Sequence, residues 1–424
     1  MLFSIILSLF PTRTLRRTYK LNLDDQAIFF FFVAVFALGT FGLSFLFWIT
    51  KKKSLWLKKY LTIPARKSTT NAVQLGGLPI SLTIFFSSLY LIYSSSRIDG
   101  NFELVLSRWS YCSLFIIAYG YLDDRFELRP IVKLIMQLFC VLSFALLTAE
   151  IFTRYQSVLS FLIVFVWGMG TVNGSNLLDG LDTLTIKLTT SILLFYFCCS
   201  LIFQIPPLMW VTCMIAAGIL SFYFFNREPA KVHLGEIGGS YMGMSFLLLS
   251  SFLYLGLIPK YGHIESCGMA LLPLTLPMVE LGISFLRRIY NRKSPFRGDR
   301  LHVHHILKNY HNFSASISSS IMMLGHLFSL MVSGLVAYAI NPWLGYFCHL
   351  TLMISMYLSI GVKYWKGSDT LDLSAKSIFQ YLRKKDVMII DSSKIDDFQI
   401  TIMEGEEYDE NDFEDDGDDD SEVA

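Results

Sequence analysis

Three of the chain's eight histidines, His302, His304 and His305, fall within four positions of the stretch "GDRLHVHHIL". The basic run "RRIYNRKSPFR", which contains Lys293, precedes them, and Arg300 lies between the two. Histidines in a basic loop favour binding of anionic oxygen, or acid–base chemistry near neutral pH. Structural zinc would need further ligands, usually cysteines, and is disfavoured. On a helix, His302 and His305 would share a face and His304 would point elsewhere.

Two carboxylates are adjacent in "YLDDRFELRP", as Asp123 and Asp124. Because neighbouring carboxylates repel, either one of them is protonated or a cation lies between them. Hard oxygen ligands of this kind favour Mg²⁺ or Mn²⁺, with phosphates completing the coordination shell. A solvated helix cap is the alternative for this pair.

Amides and carboxylates recur every third residue in "NGSNLLDGLDTL", as Asn173, Asn176, Asp179 and Asp182. On a helix this spacing places them near one face, and a polar stripe at a membrane boundary is costly unless it binds a ligand. The alternative is a capped re-entrant turn, because Gly180 allows the helix to break.

Glycines surround Glu236 in "VHLGEIGGSYMG", directly before an apolar run. Backbone N–H groups at the start of a helix suit phosphate, so an anion site is expected here. Because glycine is also frequent in membrane helices, this stretch alone is a weak indication.

The elements that carry these side chains are predicted to be membrane helices. The 424 residues are 53% hydrophobic with positive mean hydropathy, which argues against a soluble protein of this size. Apolar runs of the length needed to span a bilayer, about 20 residues, recur along the chain. We identify eleven, at 27–50, 73–93, 104–122, 130–149, 156–172, 184–204, 206–225, 237–258, 268–286, 317–340 and 342–360. The prediction is an all-α polytopic membrane helix bundle of about eleven transmembrane helices.

The basic residues orient this bundle, because lysine and arginine collect in cytoplasmic loops. One alternate set of loops contains only Arg97, Arg154 and Lys260 as basic residues, and the other set is strongly basic. The basic set holds all four stretches described above. We therefore place them on the cytoplasmic face, with the N-terminus outside and the C-terminus inside, although the basic segment 13–20 disagrees with this orientation.

Four segments follow from these patterns. They are a non-spanning N-terminal segment 1–26, a membrane domain 27–360, a cytoplasmic segment 361–403 and an acidic tail 404–424. The tail holds 13 acids and no base, a composition typical of disorder.

Together the stretches resemble the polyprenyl-phosphate N-acetylhexosamine-1-phosphate transferase family, over about residues 60–310. "YLDDRFELRP" resembles its Asp-Asp motif, and "NGSNLLDGLDTL" resembles its N-x-x-N-x-x-D-G-x-D-G-L motif. "FNREPAKV" and "RKSPFRGDRLHVHH" are similar to its F-N-x-x-P-A-x-V and K-S-P-F-x-P-D-R-x-H-x-H-H stretches. The histidine spacing resembles the branch that uses UDP-GlcNAc more than the branch that uses UDP-MurNAc-pentapeptide.

The resemblance implies transfer of N-acetylhexosamine 1-phosphate, with GlcNAc 1-phosphate expected, from a UDP-sugar to undecaprenyl phosphate with release of UMP. Such a reaction starts the synthesis of lipid-linked cell-envelope glycans, such as lipopolysaccharide or cell wall. The resemblance also implies Mg²⁺ or Mn²⁺, the cell inner (cytoplasmic) membrane and contact with membrane lipid. It implies no nucleic-acid partner, and it allows a homodimer.

Residue roles follow from the same resemblance. The catalytic residues that it implies are Asp123, Asp124, Asp179, Asp182, His302, His304 and His305. The substrate-binding residues are Arg66, Lys67, Lys133, Asn173, Asn176, Asn226, His233, Lys293 and Arg300. The metal ligands are Glu236, Asp123 and Asp124.

The chain departs from the family pattern at several positions. Glu236 replaces the aspartate expected to hold the metal, and His233 replaces an aromatic residue that stacks on uracil. Gly239 replaces a serine, and Thr183 replaces the glycine of D-G-L. These departures leave open an inactive relative that binds a nucleotide-sugar or lipid phosphate as an assembly subunit.

A transporter is a further alternative. It would need ionisable residues in mid-span, where the nearest candidates are Lys187, Glu280 and His326. Glu280 lies about one turn from the cytoplasmic end of its predicted span, so it is also a candidate for the shell around an active site.

Overall fold

The computed structural model describes residues 23–51, 73–94, 98, 100–152, 157–295 and 299–365. The chain divides into Met1–Lys366 and Gly367–Ala424, and the second unit lies outside the described residues. The predicted tail 404–424 and nearly all of segment 361–403 therefore lie outside them as well. Arg66 and Lys67, in the first basic loop, are also outside the described residues.

The described residues form twelve α-helices. They are α1 (Leu23–Lys51), α2 (Gly77–Tyr93), α3 (Gly100–Phe126), α4 (Pro130–Phe152), α5 (Ser157–Leu177), α6 (Leu184–Ile202), α7 (Pro206–Asn226), α8 (Gly235–Leu271), α9 (Thr275–Tyr290), α10 (Val303–Asn309), α11 (Ala315–Ala339) and α12 (Pro342–Trp365). Within these ranges the β-type pairing is limited to one isolated parallel bridge, between Val73 and Val232. The predicted all-α class is confirmed for this part of the chain. Each predicted span coincides with one long helix except 268–286, which covers the end of α8, the 3-10 turn Leu272–Leu274 and most of α9.

The long helices are suited to a bilayer. Seven stretches of the described residues are long and apolar enough to cross a membrane: Gln26–Lys51, Pro130–Thr148, Leu184–Ile202, Pro206–Asn226, Gly235–Tyr290, Ala315–Ala339 and Pro342–Trp365. Gly77–Tyr93 and Phe161–Leu177 are shorter apolar helices. Large apolar side chains such as Phe30 and Phe41 are exposed on the outer surface, which suits contact with lipid. The chain is a multi-pass membrane protein, while the count of eleven spans and their orientation stay predictions.

Close backbone contacts hold the other helices against α8, whose residues are largely buried. A Cβ added to Gly120 of α3 would lie 2.8 Å from the Cα of Ile237. A Cβ added to Gly243 of α8 would lie 2.5 Å from the Cα of Val172 in α5. Small residues permit this approach, and the van der Waals contact that it creates is a main source of helix association in membranes.

The loops gather at two ends of the bundle. At one end, residues 73–77 pair through their backbone with residues 231–234. At the other end, the Lys260 ammonium lies 4.8 Å from the ring centroid of Phe203 and 5.1 Å from that of Tyr338. The two ends are separated by about 25 residues of α8, or roughly 37 Å of helix. The motif-bearing loops therefore have a scaffold that brings them together at one end.

We predict that Gly243→Ala lowers the free energy of unfolding by about 1–3 kcal/mol, because the added methyl group would overlap the backbone of α5. Gly282→Ala is the matched control, since a Cβ on Gly282 of α9 would meet nothing within 4 Å. There we expect no loss, or a gain of about 0.5–1 kcal/mol from helix propensity. Thermal unfolding of the purified variants in detergent measures both, and equal effects at the two glycines would contradict the packing argument.

Candidate active site

The carboxylate of Asp124 caps the start of α8. Its Oδ1 accepts the backbone N–H of Glu236 at 2.8 Å, and its Oδ2 accepts that of Ile237 at 3.2 Å. These are two of the four N–H groups that a helix start leaves unpaired. A negative charge there is also stabilised by the positive end of the helix dipole. A phosphate site was expected at this helix start. These two N–H groups are not available to a phosphate, because the Asp124 side chain already binds them.

Asp123 and Asp124 contact different partners. Asp123 is buried, and its Oδ2 lies 2.8 Å from the Nζ of Lys133 on α4. The same ammonium group lies 3.4 Å from the Oε1 of Glu236. Asn176 of α5 donates from Nδ2 to the Oε2 of Glu236 at 3.1 Å. In the Asp-Asp motif, Asp124 is thus a helix cap and Asp123 forms an ion pair with Lys133.

The chain turns sharply between α5 and α6. The predicted helical stripe ends at Leu177, so the helix prediction is wrong for its last two members, Asp179 and Asp182. Thr183 has φ of +65°, a left-handed conformation in which a helix does not continue, and α6 begins after it. Its N–H donates to the Oδ1 of Asn226 at 2.8 Å. A turn, rather than a continuous helix, therefore carries Asp179 and Asp182.

A cavity of about 240 Å³ lies between this turn and the start of α8. It is lined by Gln74, Asn176, Asp179, Gly180, Leu181, Asp182, Asn226, His233, Gly235 and Glu236. Six of the predicted site residues are therefore brought together here. Asn173 is not among the lining residues, and its Nδ2 donates to the Met169 carbonyl within α5.

The polar groups of the cavity are held by short hydrogen bonds. Asp179 accepts the Thr185 hydroxyl at 2.6 Å, and the backbone N–H of Ala230 donates to Asp182 at 3.0 Å. Burial raises the pKa of Asp179 to about 7 in spite of its hydrogen bonds. His233 lies 3.9 Å from Asp182, and burial lowers its pKa. The cavity therefore contains a carboxyl group that changes charge close to neutral pH.

The three motif histidines pack against one another. The ring centroids of His302 and His304 are 5.5 Å apart, and those of His304 and His305 are 4.4 Å apart. The prediction that His304 points away from the others is wrong, because His302 is an extended cap residue and α10 begins only at Val303.

His304 lies against the motif turn. A Cβ added to Gly180 would lie 2.2 Å from its Nε2, and no described residue hydrogen-bonds to either ring nitrogen of this fully buried side chain. Burial, and then the charges of His305 and His302, hold the pKa of His304 well below its usual range. Burial, with the charges of His302 and Arg300 among its neighbours, lowers the pKa of His305 to about 4. Both imidazoles are therefore neutral near pH 7.

Two arginines of the basic run bind a carboxylate of the chain itself. Arg287 donates to both oxygens of Asp299, at 2.7 and 2.9 Å, and Arg288 donates to its Oδ2 at 3.2 Å. Burial alone would raise the pKa of Asp299, but the hydrogen bonds and charges of the arginines outweigh it and hold the pKa well below its usual range. These guanidinium groups hold the histidine loop on α9.

The donors at the cavity fit a hard divalent cation that is held partly by substrate. Among the described residues, no group of three or more His, Cys, Asp or Glu side chains is placed to hold a metal. Mg²⁺ is usually bound by one or two carboxylates, with water and substrate phosphates as further ligands. Glu236 and Asp179 both line the cavity. They fit that arrangement better than Asp124, whose oxygens accept backbone N–H groups.

The ionisable residues expected in mid-span do not form a connected path. Lys187 donates to the hydroxyls of Ser319 and Ser320 on α11, each at 2.9 Å. His326 pairs through Nδ1 with Ser191 at 2.7 Å, and Glu280 contacts the histidine loop instead. This separation argues against the transporter alternative.

Several residues of the site are not among the predicted ones. Gln74 and Leu181 line the cavity, and Ser240 accepts a hydrogen bond from Asn176 at 3.0 Å. Leu181 and Ser240 lie beside motif residues and could have been found by proximity. Tyr357, which contacts Glu280, lies in an apolar span where nothing distinguishes it.

Comparisons with known proteins point in one direction. Residues 106–254 match the model of glycosyl transferase family 4. Over 298 residues the chain is 26% identical to a probable undecaprenyl-phosphate N-acetylglucosaminyl 1-phosphate transferase of Bacillus subtilis, covering 67% of this chain and 78% of the relative. Over 264 residues it is 29% identical to an undecaprenyl-phosphate alpha-N-acetylglucosaminyl 1-phosphate transferase of Thermotoga maritima, covering 61% and 77%. Over 203 residues it is 27% identical to a phospho-N-acetylmuramoyl-pentapeptide-transferase of Streptococcus pneumoniae, covering 42% and 59%.

We predict that Asp179→Asn reduces the pH dependence of stability. The Asp179 pKa of about 7 lies above the value near 3.9 of an unfolded aspartate. The stability linked to this group is therefore complete below about pH 4 and is lost as the pH rises through about 7. Between pH 5 and pH 7.5 the thermal unfolding midpoint of the wild type should fall more than that of the variant. Parallel curves for the two proteins would contradict the raised pKa.

Proposed function

We propose that the chain, whose residues 106–254 match the model of glycosyl transferase family 4, transfers N-acetylhexosamine 1-phosphate, specifically GlcNAc 1-phosphate, from a UDP-sugar to undecaprenyl phosphate. The observation that carries the proposal is the single cavity that joins Asn176, Asp179, Asp182 and Glu236. His304 borders it through Gly180. The names of the Bacillus and Thermotoga relatives support the sugar phosphate and the lipid acceptor.

In the proposed reaction, an oxygen of the lipid phosphate attacks the β-phosphorus of the UDP-sugar. The bond from that phosphorus to the bridging oxygen breaks, and UMP leaves with the electron pair. A phosphate monoester has its second pKa near 6, so the attacking oxygen needs little help from a base near pH 7. Phosphoryl transfer depends mainly on positioning and on electrostatic stabilisation. We therefore assign positioning roles to Asp123 and Asp124.

Each charged group has a place in this scheme. Asp124 holds the start of α8 and with it Glu236, and Lys133 balances the charges of Asp123 and Glu236. Glu236, with Asp179 nearby, would hold Mg²⁺ or Mn²⁺, which supplies electrostatic stabilisation of the diphosphate when bound. The neutral His304 would donate a hydrogen bond to the diphosphate.

Nucleotide recognition is assigned to the far side of the cavity. His233 and Asp182 lie 3.9 Å apart there, next to Asn226. An imidazole face can stack on a uracil ring, and Asp182 is fixed by the Ala230 N–H. Asn226 is already engaged by the Thr183 N–H and the Val232 carbonyl, so it shapes the wall of the cavity.

We assign the site to the cytoplasmic face of the bacterial inner membrane. The loops that form the cavity belong to the strongly basic set, and basic loops are retained in the cytoplasm. This orientation places the N-terminus outside and the C-terminus inside, and it gives a water-soluble UDP-sugar direct access to the cavity.

The alternative that the protein is an inactive relative rests on the substitutions at Glu236, His233 and Gly239. The local contacts make this alternative weaker. A Cβ on residue 239 would lie 2.0 Å from the Oδ1 of Asn176, so glycine suits the position of this amide. Ser240, the next residue, provides the hydroxyl that Asn176 contacts. Glu236 keeps a carboxylate within reach of Lys133. These neighbours accommodate the substitutions.

The first test is UMP release by the purified protein from UDP-GlcNAc and undecaprenyl phosphate, with Mg²⁺ or Mn²⁺ and then with excess chelator. We expect release that requires both the lipid and the metal. Other UDP-N-acetylhexosamines, assayed in parallel, identify the sugar. Binding of a UDP-sugar without UMP release from any of them would support the assembly-subunit alternative.

A second test uses the length and charge of residue 236. Glu236→Gln removes the charge and should lower kcat about 10²–10³-fold, the usual loss for a group that stabilises developing charge. Glu236→Asp keeps the charge and restores the residue of the family motif, so we expect it to retain activity within about 10-fold. Glu265→Gln, at the opposite end of α8, is the matched control and should leave kcat unchanged. Equal activity of the Gln and wild-type proteins would exclude Glu236 from the site.

A further inference from the structure

Glu280 is a buried carboxylate whose partners converge on the histidine motif. It lies on α9 and is 1% exposed. Its Oε1 lies 2.5 Å from the Nδ1 of His302, and its Oε2 accepts the hydroxyl of Tyr357 on α12 at 2.7 Å. The Ser284 hydroxyl donates to Oε1 at 3.3 Å. Burying a carboxylate costs free energy unless it is paired and hydrogen-bonded. Here His302, Tyr357 and Ser284 together provide those partners for Glu280.

These contacts determine which way the His302 ring faces. A carboxylate can only accept hydrogen bonds, so an ionised Glu280 selects the His302 tautomer that carries its proton on Nδ1. The other ring nitrogen, Nε2, lies 3.7 Å from the Oδ1 of Asp299. Asp299 is itself held by Arg287 and Arg288. The Nδ1 edge of the ring is therefore held by Glu280, and its Nε2 edge faces a carboxylate from a separate part of the chain.

The orientation of His302 also affects its two neighbours. Its ring packs at 5.5 Å from His304 and 6.1 Å from His305, measured between centroids. His304 in turn contacts Gly180 at the cavity wall. A tilt of the His302 ring would be transmitted through these packed rings to the wall of the cavity.

We propose that Glu280 is a positioning residue of the transferase, that it fixes the tautomer and orientation of His302, and that Tyr357 holds Glu280 in place. The inference rests on the proposed function, because it assigns Glu280 a part in that reaction. It follows from the side-chain contacts between α9, α12 and the histidine loop. Removing the outer partner of a metal-binding histidine typically costs about 10–100-fold in affinity or activity, and we expect an effect of that size for the partner of His302.

The kinetic test compares three variants. Glu280→Gln keeps the shape of the side chain and loses its charge, and we expect kcat to fall about 10–100-fold while KM for the UDP-sugar changes less than about 3-fold. Tyr357→Phe removes one hydrogen bond to Glu280 and should lower kcat about 2–5-fold. Tyr346→Phe, the same change on the same helix away from Glu280, should behave as the wild type.

The thermal unfolding midpoint of each variant separates positioning from packing. A Glu280→Gln protein with kcat within 2-fold of the wild type would overturn the proposal. So would a loss of activity that matches the loss of folded protein, because a purely structural role predicts that result. A larger effect of Tyr346→Phe than of Tyr357→Phe would also contradict it.

A spectroscopic test does not depend on turnover. In protein labelled with ¹⁵N-histidine, the His302 signals are assigned by comparison with His302→Gln. We expect a protonated, hydrogen-bonded Nδ1 in the wild type and a changed tautomer population in Glu280→Gln. Unchanged His302 signals in that variant would refute the pairing. If the wild type released no UMP while these signals changed, the transferase proposal would fail and the pairing would stand.

Discussion

The bond between the Asp124 carboxylate and the first N–H groups of α8 is the interaction on which the site depends. It joins the end of α3 to the start of the central helix, and it places Glu236 where Lys133 of α4 and Asn176 of α5 both contact it. In an apolar environment each unpaired backbone N–H costs several kcal/mol, so this carboxylate is tightly constrained. Four helices therefore meet at one acidic cluster, and the cavity opens beside it.

Backbone packing makes this junction rigid. The glycines that bring α3 and α5 against α8 leave little space for adjustment, because an added methyl group would overlap neighbouring backbone atoms. A site for phosphoryl transfer gains from such rigidity, since small displacements of the reacting groups lower the rate strongly. The helix bundle is thus a rigid scaffold, and the turn between α5 and α6 places its carboxylates at the cavity.

The charges of the site fall into two groups. Asp299 with its arginines and Glu280 with His302 are satisfied within the protein, and they hold the histidine loop in place. Asp179, Asp182 and Glu236 line the cavity, with the neutral His304 at its wall. The basic run of the sequence therefore contributes structure as well as charge, because two of its arginines bind a carboxylate of the same chain.

The sequence by itself determined the helical bundle and most of the chemistry. Apolar runs are local, so all but one of the predicted spans coincided with a helix. The motifs and their resemblance to a known family pointed to Asp179, Asp182 and Glu236, which line one cavity. The tertiary structure decided where α5 ends, which way His304 faces and what occupies the start of α8. These depend on the left-handed backbone of Thr183, on the cap at His302 and on Asp124, which is more than one hundred residues before its partners. A helix can be predicted from the hydropathy of residues that are adjacent in the chain. The partner of a buried polar group depends instead on which helices pack together, and that is known only from the tertiary structure.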